Sequence, residues 1–397
     1  MKYFFLSFFL LISVPKTKAQ VKLDVASIFK NASSQYDLMV KEHTDTTLFP
    51  FSLKNDGTLK DSRSGWWTSG FFPGALWFLY EYSKKEEWKT AANSWTLALA
   101  KQQWNKSTHD LGFMLYCAYG NGLRLTGDTS YATPLLQGAK SLATRFNDKV
   151  GLIKSWDRFP PAGKISVYKY PVIIDNMMNL ELLTWASKYS RDKRFASIAI
   201  SHASNTLKNH FRSDNSCFHA VCYGENGDVL AKKTWQGYSD SSSWARGQAW
   251  ALYGFTMMYR ETKRKEFLEQ AEKVASFYLN NPNLPEDKIP YWDFNAPNIP
   301  NAERDASAAA VVASALIELS GYVPTYKKVY FNAAETMLKS LSSPKYTYPV
   351  GEGHGFILKH SVGFKLGGGE VDAPLVYADY YYFEALLRYN RLISKKI

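Results

Sequence analysis

A pair of helix-length segments recurs along the chain. The first segment of each pair is apolar on nearly every side, and the second, after a short polar turn, carries Lys and Glu on one face only. A helix that is apolar all round predicts burial on all sides, whereas an amphipathic helix predicts one face toward solvent. The apolar segments are residues 67–83, 110–128, 175–192, 242–262, 305–323 and 378–394.

The first five apolar segments each have an amphipathic partner, and residues 24–41 can supply the sixth. Six buried helices inside six solvent-facing helices predict an all-α fold, an (α/α)6 barrel, as one domain over residues 20–397. An open helical array would give the same pattern, so ring closure is an inference from the number of pairs.

Longer loops rich in Gly, Pro and Tyr separate the pairs, and functional side chains are expected on such loops at one mouth of the ring. The loops are residues 147–171, 212–243, 281–304 and 343–376. In the second loop, CFHAVCYGENGDVLAKKTW predicts a β-hairpin whose turn is Glu225-Asn226-Gly227-Asp228. Cys217 and Cys222 either pair across this hairpin or remain buried thiols; three cysteines make no disulfide framework.

Four aspartates stand at or near the start of a buried helix: Asp110, Asp175, Asp305 and Asp379. In a ring of such helices these starts gather at one end. The simplest explanation for each is N-capping, because Asp accepts hydrogen bonds from the free amides of a first turn. Asp110 and Asp175 lie on consecutive buried helices, so we expect them to be neighbours, and two close carboxyls at a cavity mouth indicate acid–base chemistry.

Composition adds aromatic residues and positive charge. The 397 residues include 12 Trp, 26 Tyr and 24 Phe; most will fill the core, and exposed rings can cover the apolar face of a sugar. The net charge of +12 favours an anionic partner such as acidic polysaccharide, anionic lipid or nucleic acid. Nucleic acid is the weakest of these, since there is no Lys/Arg-dense run, zinc-finger spacing or RNP motif.

Residues 1–19 are predicted to be a secretory signal peptide. Lys2 precedes an apolar run over residues 3–14, and small residues stand at the expected cleavage positions. The run is too short for a membrane span, and no later segment is long and apolar enough to be one. A periplasmic or secreted protein is therefore expected. Removal of the leader would remove three lysines and leave a net charge of +9.

Five segments in order resemble glycoside hydrolase family 88, the unsaturated glucuronyl hydrolases. They are TSGFFPGALWFLYE, HDLGFM, VIIDNMMNLELLTWAS, WQGYSDSSSWARGQAWALYGF and PLVYADYYYFEALLRY. The resemblance runs from about Trp66 to Arg388, and the fold that it implies, an (α/α)6 barrel, agrees with the repeat. It implies no metal or organic cofactor. The implied substrate is an oligosaccharide left by a polysaccharide lyase, with a 4,5-unsaturated uronic acid at its non-reducing end.

The resemblance also implies roles for individual residues. Asp175 in VIIDN would be the general acid and base, and Asp110 in HDLGF its partner carboxylate. Trp235 stands where relatives carry another residue, which would alter the subsite beyond the cleaved bond. The implied substrate-binding residues are Trp67 (or Trp66 in its place), His109, His219, Gln236, Arg246 and Trp250.

Several of these residues also have structural explanations. Arg246 offers a planar fork that suits a carboxylate, or a salt bridge that locks its helix. Trp67 and Trp250 suit apolar core positions. Lys365 lies in the glycine-rich loop His360–Asp372, which would bring an ammonium and backbone amides to a sulfate, or would be a plain connector.

The implied reaction adds a proton to C4 and water to C5 of a vinyl ether, which differs from the usual carboxylate arrangements of glycosidases. A mildly acidic optimum is expected because desolvation and Asp110 would raise the pKa of Asp175. With the basic charge, sulfated glycosaminoglycan fragments are the favoured substrates. The alternatives are an unsaturated rhamnogalacturonyl hydrolase that acts on pectin fragments, and a non-catalytic glycan-binding protein on the same fold.

Overall fold

The computed structural model describes residues 23–160 and 167–394, so the predicted signal peptide lies outside the described residues. Within those ranges there are twelve α-helices and four small sheets. In chain order the helices are α1 (Val25–Glu42), α2 (Phe71–Ser83), α3 (Glu86–Leu97), α4 (Asn121–Thr126, which continues the π-helix Gly112–Gly120), α5 (Ala132–Ala143), α6 (Asn176–Ser190), α7 (Lys193–Asn209), α8 (Ala245–Thr262), α9 (Lys265–Leu279), α10 (Ala306–Leu319), α11 (Lys327–Leu341) and α12 (Val376–Ser394).

The inner helices form a closed ring. The helix α2 contacts the π-helix, which contacts α6, and contacts then run through α8, α10 and α12. The last helix, α12, packs back on α2. This final contact excludes an open array and confirms the predicted (α/α)6 barrel.

The sixth outer helix is α1, as the sequence predicts. Asp24 caps its start, accepting a hydrogen bond from the backbone N–H of Ser27 at 3.0 Å. The ring of Phe29 stacks on Tyr82 of α2 at 3.9 Å and on Phe383 of α12 at 5.6 Å. The first helix of the chain therefore lies over the joint between the last and the first inner helices.

The burial of the helices follows the hydrophobic pattern. Every residue of α10 except Glu318 is buried, and its many alanines let the neighbouring helices approach closely. In α9 the buried residues recur at helical spacing, as Phe267, Ala271, Val274 and Tyr278, while its opposite face is exposed. Helix position in the barrel is thus decided by how much of the helix surface is apolar.

The second inner helix begins as a π-helix, two residues after Asp110. A Cβ added at Gly112 would lie 2.5 Å from Cα of Asn179, so only glycine fits there. The side chain of Asn179 accepts a hydrogen bond from the backbone N–H of Phe113 at 2.9 Å. These contacts hold the start of the π-helix against α6, which begins directly after Asp175.

Antiparallel strands connect the helices at the mouth where the inner helices begin. They are β1 (Leu48–Leu53) with β2 (Leu59–Arg63), β3 (Phe146–Asn147) with β4 (Leu152–Ile153), β5 (Tyr170–Ile173) with β6 (Ala220–Tyr223) and β7 (Val229–Lys233), and β8 (Ser361–Phe364) with β9 (Gly369–Ala373).

Two of these sheets bear on the sequence predictions. The pairing of β6 with β7 confirms the predicted hairpin, and Gly227 in its turn has a φ of +88°. The glycine-rich loop is also a hairpin, β8–β9, rather than a plain connector. Cys217 and Cys222 are both buried free thiols, which resolves that alternative.

No described helix is long and apolar enough to cross a membrane.

Candidate active site

A cavity of about 530 Å³ opens at the mouth where the inner helices begin. Asp110 and Asp175, which precede the second and third inner helices, line this cavity together with Arg246 from the first turn of α8. Side chains from the hairpins β1–β2 and β8–β9 form much of its rim. The structure thus brings both predicted catalytic carboxyls to one sugar-sized hollow.

The four aspartates at the helix starts are of two kinds. Asp305 caps α10, accepting hydrogen bonds from two backbone N–H groups of the first turn at 3.0 and 3.3 Å. Asp379 accepts hydrogen bonds from two backbone N–H groups that precede β8, at 3.0 and 2.9 Å. Asp110 and Asp175 face the cavity instead. Capping or a similar backbone contact therefore explains two of the four residues and leaves the neighbouring pair for chemistry.

Asp175 occupies the N-cap position of α6, yet its side chain makes no capping hydrogen bond. Burial raises the pKa of its carboxyl to about 7, and the negative charge of Asp110 adds to the rise, although Arg246 opposes it. A carboxyl with this pKa holds a proton in a large fraction of molecules near neutral pH. Asp175 can therefore donate a proton and take one back, as a general acid and base must.

The hydrogen bonds of His219 fix its tautomer. Its Nδ1 accepts hydrogen bonds from the backbone N–H groups of Trp235 and Gln236 at 2.9 and 3.2 Å. Burial lowers the pKa of His219 to about 3, so the ring is neutral and its proton must be on Nε2. That atom lies 3.8 Å from Oδ2 of Asp175 and makes no hydrogen bond within the described residues. His219 thus presents a donor beside Asp175.

His109 has the opposite character. Its Nδ1 lies 2.9 Å from the carbonyl oxygen of Ser155, which can only accept, so Nδ1 carries the proton. Burial lowers the pKa of the ring, which favours the neutral form. Its Nε2 then has a lone pair, and it lies 3.2 Å from Oδ1 of Asp110 without an aligned hydrogen bond. His109 lines the cavity and offers an acceptor there, whereas His219 lies outside the cavity lining and offers its donor beside Asp175.

Arg246 forms a salt bridge, which is one of the two roles that the sequence left open, and its contact with a substrate carboxylate stays a prediction. Its Nη1 forms a buried salt bridge to Asp305 at 3.0 Å and donates to the carbonyl oxygen of Val362. Its Nη2 donates to the carbonyl oxygen of Gly363 at 2.7 Å, and Gln236 donates to the same oxygen at 3.1 Å. The salt bridge locks α8 to α10. The Nε–H group keeps no partner among the described residues.

Three residues that line the cavity carry a buried polar atom without a hydrogen-bond partner within the described part of the chain. They are Oδ2 of Asp175, Nε2 of His109 and Nε of Arg246. Buried polar atoms are normally paired, so their concentration in one cavity indicates that a polar ligand completes them. Arg246 supplies a donor, His109 an acceptor and Asp175 a carboxyl, which suits a ligand with hydroxyl and carboxylate groups.

Aromatic side chains form the walls. Trp67 is half-buried and packs on Phe113 and Tyr377 at 5.5 and 4.9 Å, while its neighbour Trp66 is 49% exposed at the rim. Both rings line the cavity, so the two alternatives for the sugar platform remain open. Trp250 is fully buried against the rings of Phe113 and Tyr381 and does not line the cavity, so the structure places it in the core and not at the pocket wall that the sequence predicts.

Other rim residues were not anticipated from the sequence. Lys60 of β2 and Glu370 of β9 form an ion pair at the mouth, and Trp156 and Phe364 also line the cavity. Trp156 lies in the first of the long loops, which is the signal that could have identified it. The ammonium of Lys365 pairs with Glu303 and is outside the cavity lining, so its role with sulfate stays a prediction.

Phe364 also accounts for the position of Trp235 in the cavity wall. Its ring packs against Phe364 at 5.4 Å, with 30° between the planes, and meets Phe159 edge-on at 6.2 Å. Both Trp235 and Phe364 line the cavity. Trp235 thereby ties the loop after β7 to the hairpin β8–β9 across the rim.

Comparison with known proteins places this site in a family. Residues 37–388 match Glycosyl Hydrolase Family 88. An unsaturated glucuronyl hydrolase of Formosa agariphila is 47% identical over 331 residues, which are 83% of this chain and 81% of that protein. An unsaturated chondroitin disaccharide hydrolase of Streptococcus agalactiae is 32% identical over 93% of this chain and 92% of its own length.

Solved structures agree. An unsaturated glucuronyl hydrolase specific for heparin superposes with a TM-score of 0.89 and 49% identity, covering 94% of this chain and 98% of the other. The unsaturated glucuronyl hydrolase of Bacillus sp. GL1 superposes with a TM-score of 0.86 and 28% identity, covering 93% and 98%. The sequence match and the barrel lead to one conclusion: this chain belongs to glycoside hydrolase family 88 and is a glycoside hydrolase.

Proposed function

We propose that this enzyme removes the 4,5-unsaturated uronic acid from the non-reducing end of oligosaccharides made by polysaccharide lyases. The observation that carries the proposal is Asp175, a buried carboxyl whose pKa is about 7, which has no capping bond and shares a cavity with Asp110. The names of the relatives, unsaturated glucuronyl hydrolases among them, support this substrate class.

In the proposed reaction Asp175 first donates its proton to C4 of the substrate's C4=C5 bond. The electron pair of that bond forms the new C4–H bond, and positive charge develops at C5 and on the ring oxygen. Asp175, now ionised, takes a proton from a water molecule whose oxygen bonds to C5. The resulting hemiketal opens and the glycosidic bond breaks, so one water is consumed and Asp175 regains its proton.

The surrounding groups suit this sequence of charges. Asp110, when ionised, would stabilise the positive charge at C5. The Nε2–H of His219 would donate to the carboxylate of Asp175 once it is ionised. The unpaired Nε–H of Arg246 would donate to the uronate carboxylate, and the Nε2 lone pair of His109 would accept from a hydroxyl. The substrate would thereby satisfy the buried atoms that the protein alone leaves unpaired.

Glycosaminoglycan fragments are the proposed natural substrates. The net charge of +12 favours anionic chains. One neighbouring structure is described as specific for heparin, and the streptococcal relative as a chondroitin disaccharide hydrolase. Lys365 would favour the binding of a sulfated fragment only if the sulfate displaced the carboxylate of Glu303, which pairs with this lysine.

A panel of lyase digests in isotopically labelled water tests the proposal. Digests of hyaluronan, chondroitin sulfate, heparin and pectin are incubated with the enzyme, and loss of the ultraviolet absorbance of the conjugated double bond is followed. We expect bleaching of glycosaminoglycan digests and label at C5 of the released acid. Bleaching of pectin digests alone would favour the rhamnogalacturonyl hydrolase, binding without bleaching a non-catalytic protein, and label at the anomeric carbon would contradict the mechanism.

We also propose that the enzyme acts after export, in the periplasm or outside the cell. Support comes from residues 1–19 alone, whose apolar run and cleavage pattern are those of a secretory signal peptide. Expression of the full chain in a bacterium with two membranes, followed by mass spectrometry of the periplasmic fraction, should give an N-terminus at Gln20. Full-length protein confined to the cytosol would contradict export.

A further inference from the structure

The cavity continues into a groove on the side of the hairpin β1–β2. Phe51, Lys60, Trp66 and Glu370 line both the cavity and the groove, so the two hollows share one wall. The groove then extends along the end of β2 to Arg63, which does not line the cavity. A ligand that fills the cavity can therefore extend into the groove without a change in the fold.

An exposed ring forms the side of the groove. Trp66 is 49% exposed although its edge is supported by Phe51, with 6.3 Å between ring centroids and 67° between planes. A turn in which the backbone N–H of Trp66 donates to the carbonyl oxygen of Arg63 at 2.9 Å fixes its place. An exposed but supported indole face suits stacking on the apolar face of a sugar ring.

The charges of the groove leave one cation available. Lys60 pairs with Glu370, and Asp61 bonds to Nε2 of His43 at 3.0 Å. The guanidinium of Arg63 is exposed and forms no ion pair among the described residues. A planar guanidinium beside an indole is a site for a sugar that carries a carboxylate or a sulfate.

We propose that Trp66 and Arg63 form an outer subsite that binds an anionic sugar on the reducing side of the cleaved bond. The inference rests on the proposed function. Because the terminal sugar fills the cavity, the rest of the oligosaccharide must leave through the mouth that the groove adjoins. Trp66 stacks on the sugar ring and Arg63 binds its anionic group. The subsite makes the enzyme favour longer anionic fragments over disaccharides.

The test compares fragment lengths. For wild type, Arg63→Gln and Trp66→Ala, kcat/KM is measured by loss of absorbance on unsaturated di- and tetrasaccharides from hyaluronan, which has carboxylates only, and from chondroitin sulfate. Matched controls are Arg194→Gln, an exposed arginine of α7, and Trp104→Ala, a tryptophan that is 64% exposed outside the cavity and groove.

We expect each subsite variant to lower the tetrasaccharide-to-disaccharide ratio of kcat/KM roughly fivefold, as for loss of an interface anchor, and the controls to leave it unchanged. A lower ratio in Arg63→Gln on both fragment types identifies the uronate carboxylate as the bound anion, and on sulfated fragments alone the sulfate. An unchanged ratio, or equal loss on both lengths, would overturn the subsite. A wild type inactive on every fragment would instead overturn the proposed function.

Discussion

The two mouths of the barrel both contain carboxyls with a raised pKa, and only one mouth has the character of an active site. Burial raises the pKa of Asp175 to about 7 where the inner helices begin. Burial likewise raises the pKa of Glu181 to about 7 near the other mouth, where a second cavity of about 350 Å³ opens. By cavity size and pKa alone, the two regions would be hard to tell apart.

Hydrogen bonding separates them. Arg260 at the second mouth pairs with Glu181, with Glu261 at 2.8 Å and with Glu318 at 3.0 Å. Among the described residues, no side chain that lines that cavity has a buried unpaired polar atom, whereas three that line the first cavity do: His109, Asp175 and Arg246. A raised pKa can therefore belong to a structural network, and unmet hydrogen bonds point to the place for a ligand.

The largest expected effect is on kcat, when the carboxyl with a raised pKa at each mouth is replaced by an amide. Asp175→Asn should fold yet lower kcat by about a thousandfold, the scale of a lost general acid. The pKa of Glu181 is raised like that of Asp175, but Glu181 belongs to the ion-pair network of the other mouth. Glu181→Gln should therefore keep kcat within about threefold, since this side chain touches no reacting group. Absorbance assays on an unsaturated disaccharide, with circular dichroism for folding, check both. Near-normal activity of Asp175→Asn would refute its assignment.

Donors at the two mouths give the next contrast. His219→Asn retains an acceptor near the backbone amides but loses the Nε2–H donor, and we expect a loss in kcat/KM of roughly tenfold to a hundredfold, the worth of a hydrogen bond to a charged group. Tyr253→Phe removes a hydroxyl that donates to Glu384 at 3.0 Å at the other mouth, and should change kcat/KM less than about twofold. Equal losses would show that His219 acts only through the fold.

For stability, the second mouth should be the more sensitive of the two. Arg260→Met leaves three carboxylates without their shared cation, and we expect the free energy of unfolding to fall by at least about 2 kcal/mol with little change in kcat/KM. Arg391→Met is the control, because Arg391 is 52% exposed and pairs with Glu81 alone within the described ranges; its cost should stay below about 1 kcal/mol. Urea unfolding measures both variants, and equal costs would contradict the network.

The smallest effect is a shift in the pH profile. The general acid must be protonated, so kcat/KM falls as pH rises through the pKa of Asp175. The negative charge of Asp110 raises that pKa, and Asp110→Asn removes the charge, so the alkaline limb of the residual activity should move to lower pH. Glu181→Gln should leave the limb in place. A limb that stays, or moves to higher pH, in Asp110→Asn would mean that the two carboxyls are not coupled.

Much of the fold could be predicted because it depends on local pattern. The segment 305–323 is apolar on nearly every side, which predicts burial, and the helix there, Ala306–Leu319, is buried except at Glu318. Helix ends were less accurate: the segment that begins at residue 67 becomes helical only at Phe71, because the residues before it form turns. The hairpins β1–β2 and β8–β9 were not predicted, since their short strands gain stability from packing on the barrel mouth.

The site was predicted in part. Four aspartates at helix starts were visible in the sequence, and the spacing of the repeat put Asp110 beside Asp175. The rim pair of Lys60 and Glu370 was not visible, because these residues are 310 positions apart and meet only when two hairpins close on one mouth. The pairing of Lys365 with Glu303 was not visible for the same reason, so the sequence offered this lysine to a sulfate.

The sequence by itself determined which helices are inside the barrel, because the apolar fraction of a helix surface is a property of consecutive residues. It also determined which carboxyls stand at the helix starts. Only the tertiary structure decided that Asp305 and Asp379 are satisfied by backbone N–H groups while Asp175 is not. Hydrogen-bond satisfaction depends on groups brought from distant parts of the chain, and the atoms left unsatisfied are those that a substrate can bind.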